Sequence, residues 1–387
     1  MSILFCIREQ FLPIVGSYSF RINRLLKRLE DSEKMFLVPR NQDKKIVEKT
    51  YNSLTFQTFT PIPRFSYWYK SLVIFPFVLE CSTIMKKISN MNDVKVIYGF
   101  GFTVALNSRM STSNTPLVLD ICEADLPYAR LSNQSSISGF LAAHAENFIF
   151  SSIEDKEGEI FVLNQAMKDY FKKRGITSKK IRVAYDGTDP SIFKPKSFDE
   201  KRKNPCIIFT GDLDSRDGVD ILIKSFVRVK REFKDVRLYI IGDGPFLPRL
   251  KNLASKLNLS NNIIFTGWIP FEKLMKDLPN FLVGVVPSKY HLMNDIAIPR
   301  KTFEFMAAGV PVVASDLNAM REVIQNNQSG LFFNTDDHES LSEAIIRLIS
   351  DPSMYNRIQK NGREISEKHG VDKEVAKIER SIRKYAS

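Results

Sequence analysis

The sequence predicts an α/β protein with two domains, each built on a parallel β-sheet whose strands are connected by helices. Its length of 387 residues exceeds what a single hydrophobic core usually organises. Short apolar runs rich in Val, Ile and Phe recur along the chain, and each is followed by a longer segment with helical periodicity. This pattern stops in a charged stretch at 193–205 and then begins again, which indicates a second domain.

The strands are predicted at continuous apolar runs, because strands that are buried on both faces of a parallel sheet do not alternate with polar residues. In the first half of the chain they are expected at 2–7, 35–39, 94–99, 116–121, 159–163 and 181–185. In the second half they are expected at 206–210, 236–241, 262–266, 281–286, 311–314 and 331–333. After Asp351 the chain is expected to be helical, since Val375, Ile378 and Ile382 recur at helical spacing.

These elements divide the chain into four parts. An N-terminal domain is predicted at 1–190, a linker at 191–204, a C-terminal domain at 205–366 and a final helix at 367–387. The linker prediction rests on 193–205, which is charged, contains two prolines and lacks periodicity. The final helix is expected to pack back toward the N-terminal domain.

The charge balance alone leaves several classes of partner open. The chain has 56 Lys and Arg residues against 44 Asp and Glu residues, a net charge of +12. Such an excess can serve a nucleic acid, an anionic membrane surface or an anionic substrate. It is spread evenly, with 25 basic and 19 acidic groups in 1–190 and 31 and 25 in the remainder, a net of +6 in each. Neither half is a basic tail, and RNP, zinc-finger and basic-zipper patterns are absent, so a nucleic-acid partner is not expected.

The cysteines predict neither a metal site nor disulfides. They are far apart in the sequence, form no C-x-x-C pair and have no His/Cys spacing suited to zinc. We therefore expect reduced, buried thiols at Cys6, Cys81, Cys122 and Cys206.

The apolar segments favour a cytoplasmic protein. The N-terminal run at 2–7 is too short for a signal peptide and is interpreted as a strand. The run at 72–79 is interrupted by Pro76 and is far shorter than the roughly twenty residues of a membrane span. The aromatic and basic stretch 63–77, with basic residues at 86 and 87, fits either core packing or contact with the inner face of a membrane.

Ligands of open α/β sheets bind beyond the carboxyl ends of the strands, where loops lead into helices. Gly211 follows the first strand of the second half and would let a ligand approach the backbone. The next helix, expected at 221–233, would offer its N-terminal N–H groups to phosphate. Gly242 and Gly244 occupy the following strand exit. A plain turn is the alternative for the Gly211 loop, and it is the favoured interpretation of the turn with Gly242 and Gly244.

The densest cluster of ligand-binding groups lies at a helix start. Pro299 can begin this helix and Gly309 can end it. Arg300, Lys301 and Glu304 lie three and four residues apart and can share one surface. Lys301 could supplement the helix dipole against phosphate, and Glu304 could accept hydrogen bonds from ribose hydroxyls. The alternative is a pair of solvated salt bridges.

Further polar residues stand near strand exits. His291 lies in the loop before the helix start and could contact a sugar. One exit in the first half presents carboxylates and a thiol, at Asp120, Cys122, Glu123 and Asp125. Paired carboxylates could catalyse there, although helix capping and loop solvation account for such residues more often. His144 is interpreted as a packed histidine rather than a ligand.

The residues at these strand exits resemble one family of enzymes. The most specific part is the pattern Pro-x-Lys-x-x-Glu-(Phe/Tyr)-Met-Ala-x-Gly-x-Pro-Val-Val-Ala, which 299–314 matches. Segment 186–195 is similar to that family's Asn-Gly-Val-Asp…Phe-x-Pro, and 242–245 to its Gly-x-Gly-Pro turn. On these residues nearly the whole chain resembles the GT-B glycosyltransferases, specifically the retaining nucleotide-sugar enzymes of glycosyltransferase family 4.

The resemblance implies two Rossmann-like domains facing a cleft, with C-terminal helices closing the structure. The second domain would bind a nucleotide-diphosphate sugar as donor, with Glu304 on the ribose and Lys301 and Arg216 as catalytic cations on the phosphates. The donor site would also include Arg300, His291, Gly211, Gly242, Gly244 and Gly309. The first domain would bind a glycan or a lipid-linked acceptor, and neither a metal ion nor another cofactor would be needed.

The sequence departs from this family at several positions. Asp212 and Asp217 stand where the family has an Arg and a Lys that grip the diphosphate, and two carboxylates would repel it. Ile296 replaces a Glu, Cys122 replaces a His, and 15–17 retains one glycine of a pair. Two interpretations follow: a metal-independent retaining glycosyltransferase, or a catalytically impaired GT-B protein that acts as a binding or partner subunit. A cation beside the two aspartates would favour the enzyme.

Overall fold

The chain folds into two compact units. The structure is a computed structural model that describes residues 2–7, 17–38, 42–58, 80–88, 94–101, 114–122, 154 and 157–387. The N-terminal unit comprises Met1–Tyr185 together with Asp372–Ser387, and the C-terminal unit comprises Asp186–Val371. The chain therefore enters the second unit once and returns to the first for its last helix.

A parallel sheet of seven described strands forms the centre of the N-terminal unit. The strands are β1 (Ser2–Ile7), β2 (Glu33–Val38), β3 (Leu54–Gln57), β4 (Val96–Phe100), β5 (Leu117–Ile121), β6 (Gly158–Val162) and β7 (Ile181–Val183). In space they follow the order β3-β2-β1-β4-β5-β6-β7. The apolar runs that predicted most of these strands are buried, as expected for a sheet covered on both faces.

Amphipathic helices cover this sheet. They are α1 (Ser17–Arg28), α2 (Lys44–Tyr51), α3 (80–88), α4 (Gln165–Lys173) and the last helix of the chain, α13 (Val371–Ala386). The apolar face of α13 is fully buried, at Val375, Ile378 and Ile382. Arg383 on the same helix forms an ion pair with Asp31, with 2.9 Å between nitrogen and oxygen. Apolar burial and charge pairing together hold α13 on this unit.

A second parallel sheet forms the C-terminal unit. Its strands are β8 (Cys206–Thr210), β9 (Arg237–Ile241), β10 (Ile263–Gly267), β11 (Val283–Val286), β12 (Val312–Ser315) and β13 (Leu331–Phe333). Its helices are α5 (Phe198–Arg202), α6 (Val219–Glu232), α7 (Leu247–Lys256), α8 (Phe271–Asp277), α9 (Leu292–Ile296), α10 (Lys301–Ala307), α11 (His338–Ser350) and α12 (Pro352–Lys368).

The strand order of the second sheet locates its ligand-binding edge. The order is β10-β9-β8-β11-β12-β13, so the chain builds outward from β8 on one side and then on the other. β8 and β11 pair in parallel, with Ile207 opposite Val283 and Ile208 opposite Gly284. The connections leave these two strands in opposite directions, which opens a crevice at their carboxyl ends. The ends of β8 and β11 are therefore the place to look for a site.

Two elements differ from the prediction. β3 was not predicted, because it is a four-residue edge strand whose first residue, Leu54, is half exposed and gives no apolar run. The predicted linker 191–204 contains α5, which a reciprocal capping box between Ser197 and Glu200 begins. Phe198 packs against the ring of Tyr355 at 4.7 Å between centroids. The charged composition of this segment predicted a linker, although the segment contains a packed helix.

Several predicted features fall outside the described residues: the stretch 63–77, the loop 15–16, Glu123, Asp125 and His144. Among the helices that are described, none combines the length and apolarity required to cross a bilayer. Cys6, Cys81 and Cys122 are buried free thiols as predicted, and Cys206 is partly exposed.

Candidate functional site

The N-terminus of α6 lies at the ends of β8 and β11. Gly218 precedes this helix in the left-handed region, with φ of 69°. A Cβ atom at Gly218 would lie 1.7 Å from the carbonyl oxygen of Pro287, the residue that follows β11. Glycine thus allows the helix start to approach the end of the neighbouring strand. The positive end of the α6 dipole is placed where open α/β sheets bind anions.

Lys301 delivers an ammonium group to the same place. Its Nζ lies 4.2 Å from the centroid of the Phe209 ring, near the end of β8. Gly211 has φ of 138°, and a Cβ there would lie 2.5 Å from Lys301 Nζ, so the ammonium occupies the space that a side chain would take. Burial lowers the pKa of Lys301, while the carboxylates of Asp217 and Asp212 oppose that shift. Lys301 is a partly desolvated cation above the β8 exit.

The two aspartates that depart from the family pattern have a cation beside them. Asp217 accepts a hydrogen bond from the Asp214 N–H at 3.3 Å, which closes a capping box around a short 3₁₀ turn. Burial raises the pKa of Asp217, and the charges of Lys301 and Arg216 oppose that rise. Asp212 is exposed. Asp217 therefore shapes the loop, and the observation that would favour a catalytically impaired protein, carboxylates without a nearby cation, is not what the structure shows.

Arg216 ties the loop after β8 to the loop after β11. Its carbonyl oxygen accepts hydrogen bonds from the Lys289 N–H at 2.9 Å and from Asn294 Nδ2 at 3.1 Å. The Arg216 charge contributes to lowering the pKa of both His291 and Lys301. Sequence reasoning missed Lys289 and Asn294, although both lie close to His291 in the segment before α10.

His291 has a structural role at the start of α9. Its Nδ1 accepts a hydrogen bond from the Met293 N–H at 3.3 Å and so caps this helix. Burial and the positive charge of Arg216 lower the pKa of His291, which favours the neutral imidazole. Contact between His291 and a sugar stays a prediction.

The Arg300 side chain interacts with two carboxylates, those of Glu304 and Asp186. Its Nε donates to Glu304 Oε1 at 3.0 Å, and one of its terminal nitrogens lies 3.6 Å from Asp186 Oδ1. All three residues are buried, so the alternative of a solvated salt bridge is wrong for this pair. Burial raises the pKa of Glu304, and Arg300 opposes that rise. The sequence had singled out Asp186 only as part of a motif, because its partner is more than a hundred residues away.

The other predicted glycines shape loops. The Gly242 N–H donates to the Gly267 carbonyl at 2.9 Å, and the Leu213 N–H donates to the Asp243 carbonyl at 3.0 Å, so the β9 exit lies against the β8 exit. Gly244 follows in the same turn. The carbonyl of Gly309, just after α10, accepts hydrogen bonds from two side chains, Lys201 Nζ at 2.5 Å and Gln359 Nε2 at 2.7 Å. These contacts hold the framework around Lys301.

The carboxylate at the β5 exit of the N-terminal unit is part of a buried network. Asp120 accepts two hydrogen bonds from Arg21, at 2.9 and 3.0 Å, and one from the Tyr98 hydroxyl at 2.9 Å. Asp120 and Arg21 are almost fully buried. The Cys122 Sγ lies 3.6 Å from Asp120. The structure thus gives Asp120 a structural ion pair in place of the catalytic alternative. Within the described residues, no three His, Cys, Asp or Glu side chains are grouped as for a metal ion.

Solved structures of other proteins share this architecture. The sucrose-phosphate synthase of Thermosynechococcus elongatus aligns with 98% of this chain and 98% of its own, with a TM-score of 0.79 and 18% identity. Anabaena Alr3699/HepE in complex with UDP-glucose aligns with 99% of this chain and 100% of its own, with a TM-score of 0.73 and 16% identity. At such identities the similarity shows the fold alone. The predicted GT-B class, with two parallel Rossmann-like sheets, is confirmed.

Sequence comparison gives a family match for the C-terminal unit. Residues 191–365 match the family described as Glycosyl transferases group 1. An uncharacterised glycosyltransferase of Methanocaldococcus jannaschii is 27% identical over 205 residues, which are 50% of this chain and 51% of that protein. The chain therefore spans about half the length of this curated relative. This match lies within the C-terminal unit and confirms, for that part of the chain, the family resemblance predicted from the sequence.

Proposed function

We propose that this protein is a metal-independent retaining glycosyltransferase that moves a sugar from a nucleotide-diphosphate sugar to a glycan or a lipid-linked acceptor. The observation that carries the proposal is the position of Lys301. Its ammonium lies over Gly211 at the end of β8, beside the start of α6, in the domain that matches the family. A partly desolvated cation next to a helix N-terminus is suited to a diphosphate.

Each group then has a chemical task. Lys301, Arg216 and the first N–H groups of α6 bind the diphosphate of the donor. When the bond between the anomeric carbon and the phosphate oxygen breaks, negative charge grows on the diphosphate, and these positive groups stabilise it without a metal ion. The acceptor hydroxyl attacks the anomeric carbon from the face that the diphosphate leaves, and its proton passes to the departing phosphate oxygen. Glu304 holds the donor by accepting hydrogen bonds from the ribose hydroxyls.

The names of similar proteins support a nucleotide-sugar donor. The Anabaena protein with the same fold was solved with UDP-glucose. A Mycolicibacterium smegmatis relative, 28% identical over 163 residues, is named a GDP-mannose-dependent mannosyltransferase of a phosphatidylinositol mannoside. The second name also supports a lipid-linked acceptor, for which we propose the N-terminal unit as binding site and the cytoplasmic face of a membrane as location.

Calorimetric titration tests the donor site. UDP, GDP, UDP-glucose and GDP-mannose are titrated, in the presence of EDTA, into the unchanged protein and into Lys301→Ala and Glu304→Ala. Lys224→Ala serves as matched control, because Lys224 is an exposed lysine of α6 in the same unit. We expect at least one nucleotide to bind, each site variant to weaken it about tenfold or more, and the control to match the unchanged protein.

Two outcomes would contradict the proposal. If none of the four ligands binds the unchanged protein, the proposed donor site is wrong. Binding without transfer to any glycan or lipid-linked acceptor would favour the alternative of a catalytically impaired binding subunit. The anomeric configuration of the product, read by NMR, tests retention.

A further inference from the structure

Arg300 connects two carboxylates that come from distant parts of the sequence. Its Nε donates to Glu304 Oε1 at 3.0 Å, and a terminal nitrogen lies 3.6 Å from Asp186 Oδ1. Asp186 is 6% exposed, Arg300 7% and Glu304 8%, so all three charges are shielded from water. The ring of Phe271 lies 5.8 Å from the guanidinium carbon, which adds a cation–π contact. The guanidinium is held between groups of the same unit.

The backbone that carries Asp186 is anchored to the helix that carries Glu304. The Thr188 carbonyl accepts a hydrogen bond from the Val371 N–H at 3.0 Å. Two residues before Val371, the ring of His369 contacts the ring of Phe303 in α10, with 6.0 Å between centroids. One short segment, 369–371, therefore contacts both the backbone two residues after Asp186 and the helix that carries Glu304.

Arg300 acts on both the charge and the orientation of Glu304. Burial raises the pKa of Glu304, and so does Asp186, whereas Arg300 and Lys301 favour the ionised form. An ionised carboxylate accepts hydrogen bonds on both oxygens, whereas one oxygen of a carboxylic acid carries a proton and donates. The bond from Nε engages Oε1 and so favours one orientation of the Glu304 side chain. At its other end the planar guanidinium has a second charged neighbour, Asp186 Oδ1 at 3.6 Å.

We propose that Asp186 and Arg300 are positioning residues that aim Glu304 at the ribose hydroxyls of the donor and so create a preference for ribonucleotides. The inference rests on the proposed function, since it specifies how the donor's ribose is recognised. Stability alone does not account for the arrangement, because apolar side chains of similar volume usually stabilise a core at least as well as a buried ion pair.

The test compares nucleotides that differ only in the ribose hydroxyls. UDP, GDP and their 2′,3′-dideoxy forms are titrated into the unchanged protein and into Asp186→Asn, Arg300→Lys and Glu304→Gln. The asparagine keeps the shape of Asp186 without its charge, and the lysine keeps the charge of Arg300 without its planar fork. Thermal unfolding confirms that each variant is folded. If Asp186→Asn does not fold, the comparison relies on Arg300→Lys.

Matched controls come from the surface of the same unit. Arg228 also lies between two carboxylates, 3.3 Å from Glu339 and 3.1 Å from Glu343, but all three side chains are exposed. Arg228→Lys and Glu343→Gln therefore repeat the two chemical changes away from the site. Neither control is expected to change the affinity for any of the four nucleotides.

We expect the unchanged protein to bind the ribonucleotide about tenfold more tightly than its dideoxy form. Each of the three site variants should lose that preference through weaker binding of the ribonucleotide, with dideoxy affinity within about twofold of the original. Combining Asp186→Asn with Glu304→Gln should add no further loss, because both act on one interaction.

The outcomes separate the inference from the proposed function. If neither nucleotide binds the unchanged protein, both are overturned. If the nucleotide binds and only Glu304→Gln abolishes the ribose preference, the donor site stands and the role of Asp186 and Arg300 is wrong. Equal losses of affinity for the ribonucleotide and its dideoxy form would also overturn the positioning role of Asp186 and Arg300, because they would indicate a general structural effect.

Discussion

The two units each contain a buried arginine, and the two arginines are used differently. Arg21, in the N-terminal unit, makes two hydrogen bonds to Asp120 and two to the carbonyls of Ala184 and Tyr185, all between 2.8 and 3.1 Å. Arg300, in the C-terminal unit, divides its charge between Glu304 at 3.0 Å and Asp186 at 3.6 Å.

The difference separates a structural ion pair from the ion pair that we propose belongs to the donor site. The network around Arg21 is tight, fully buried and satisfied at both ends, as a buried charge must be to be tolerated. The network around Arg300 includes Glu304, whose pKa burial raises, and it adjoins Lys301, whose pKa burial lowers. An adjacent acid and base with such opposite shifts are typical of functional sites, whereas the raised pKa in the Arg21 network belongs to the Tyr98 hydroxyl that donates to Asp120. Burial of an ion pair alone would not have distinguished the two regions.

The largest expected effect is the loss of Asp120. Asp120→Ala leaves the Arg21 charge buried without its carboxylate, so the free energy of unfolding should fall by about 3–5 kcal/mol. Urea unfolding, followed by circular dichroism, measures it. Nucleotide affinity at temperatures where the variant is folded should not change, since the donor site is assigned to the other unit. A loss below about 1 kcal/mol would show that the Arg21 network is not the structural ion pair described above.

Removing the Lys301 charge should preserve stability and weaken donor binding. Lys301→Met deletes a partly desolvated charge and keeps an apolar side chain beside Phe209, so the free energy of unfolding should stay within about 1 kcal/mol of the original or rise. Donor affinity, measured by calorimetry, should fall about tenfold to a hundredfold. A variant that loses stability but keeps its nucleotide affinity would assign Lys301 to the structural class with Arg21.

Lys201 is another buried basic residue, and it predicts a dependence of stability on pH. Lys201 donates to neutral oxygens, those of Gly309 and the Tyr355 hydroxyl, and burial lowers its pKa to about 7 despite the opposing charge of Glu200. Between about pH 7 and the unfolded-state pKa near 10.4, the unfolded chain holds this proton and the folded chain does not, so stability should rise with pH.

The expected rise for Lys201 is about 1–2 kcal/mol from pH 7 to 8.5, because a full pKa unit corresponds to about 1.4 kcal/mol. Urea midpoints at several pH values measure it, and Lys201→Met should flatten the dependence. A dependence that survives unchanged in Lys201→Met would assign it to other groups.

The smallest effect is expected at the surface. Arg228→Gln breaks two exposed ion pairs with Glu339 and Glu343, and such pairs contribute little because water and salt screen them. The change in unfolding free energy should be the smallest of the series and should shrink in high salt. A loss as large as that of Asp120→Ala would mean that exposure does not separate these arginines.

Much of the framework was predictable because its signals are local. Strands recur as apolar runs, and Pro299 and Gly309 bracket the segment of α10, so the strands of the second sheet and the helix start with Lys301 could be located from the sequence. β3 and α5 were missed for local reasons as well. The first is too short for periodicity, and the second is a capped helix of five residues in charged sequence.

The sequence by itself determined the α/β class, the second sheet and the placement of Lys301 and Glu304 on one helix start. Only the tertiary structure decided the partners of these groups: Asp186 with Arg300, Arg21 with Asp120, and Lys301 over Gly211. The reason is physical. Helical and strand periodicity act over a few residues, whereas the pairing of buried charges depends on which distant segments the sheet order brings together and which of them exclude water.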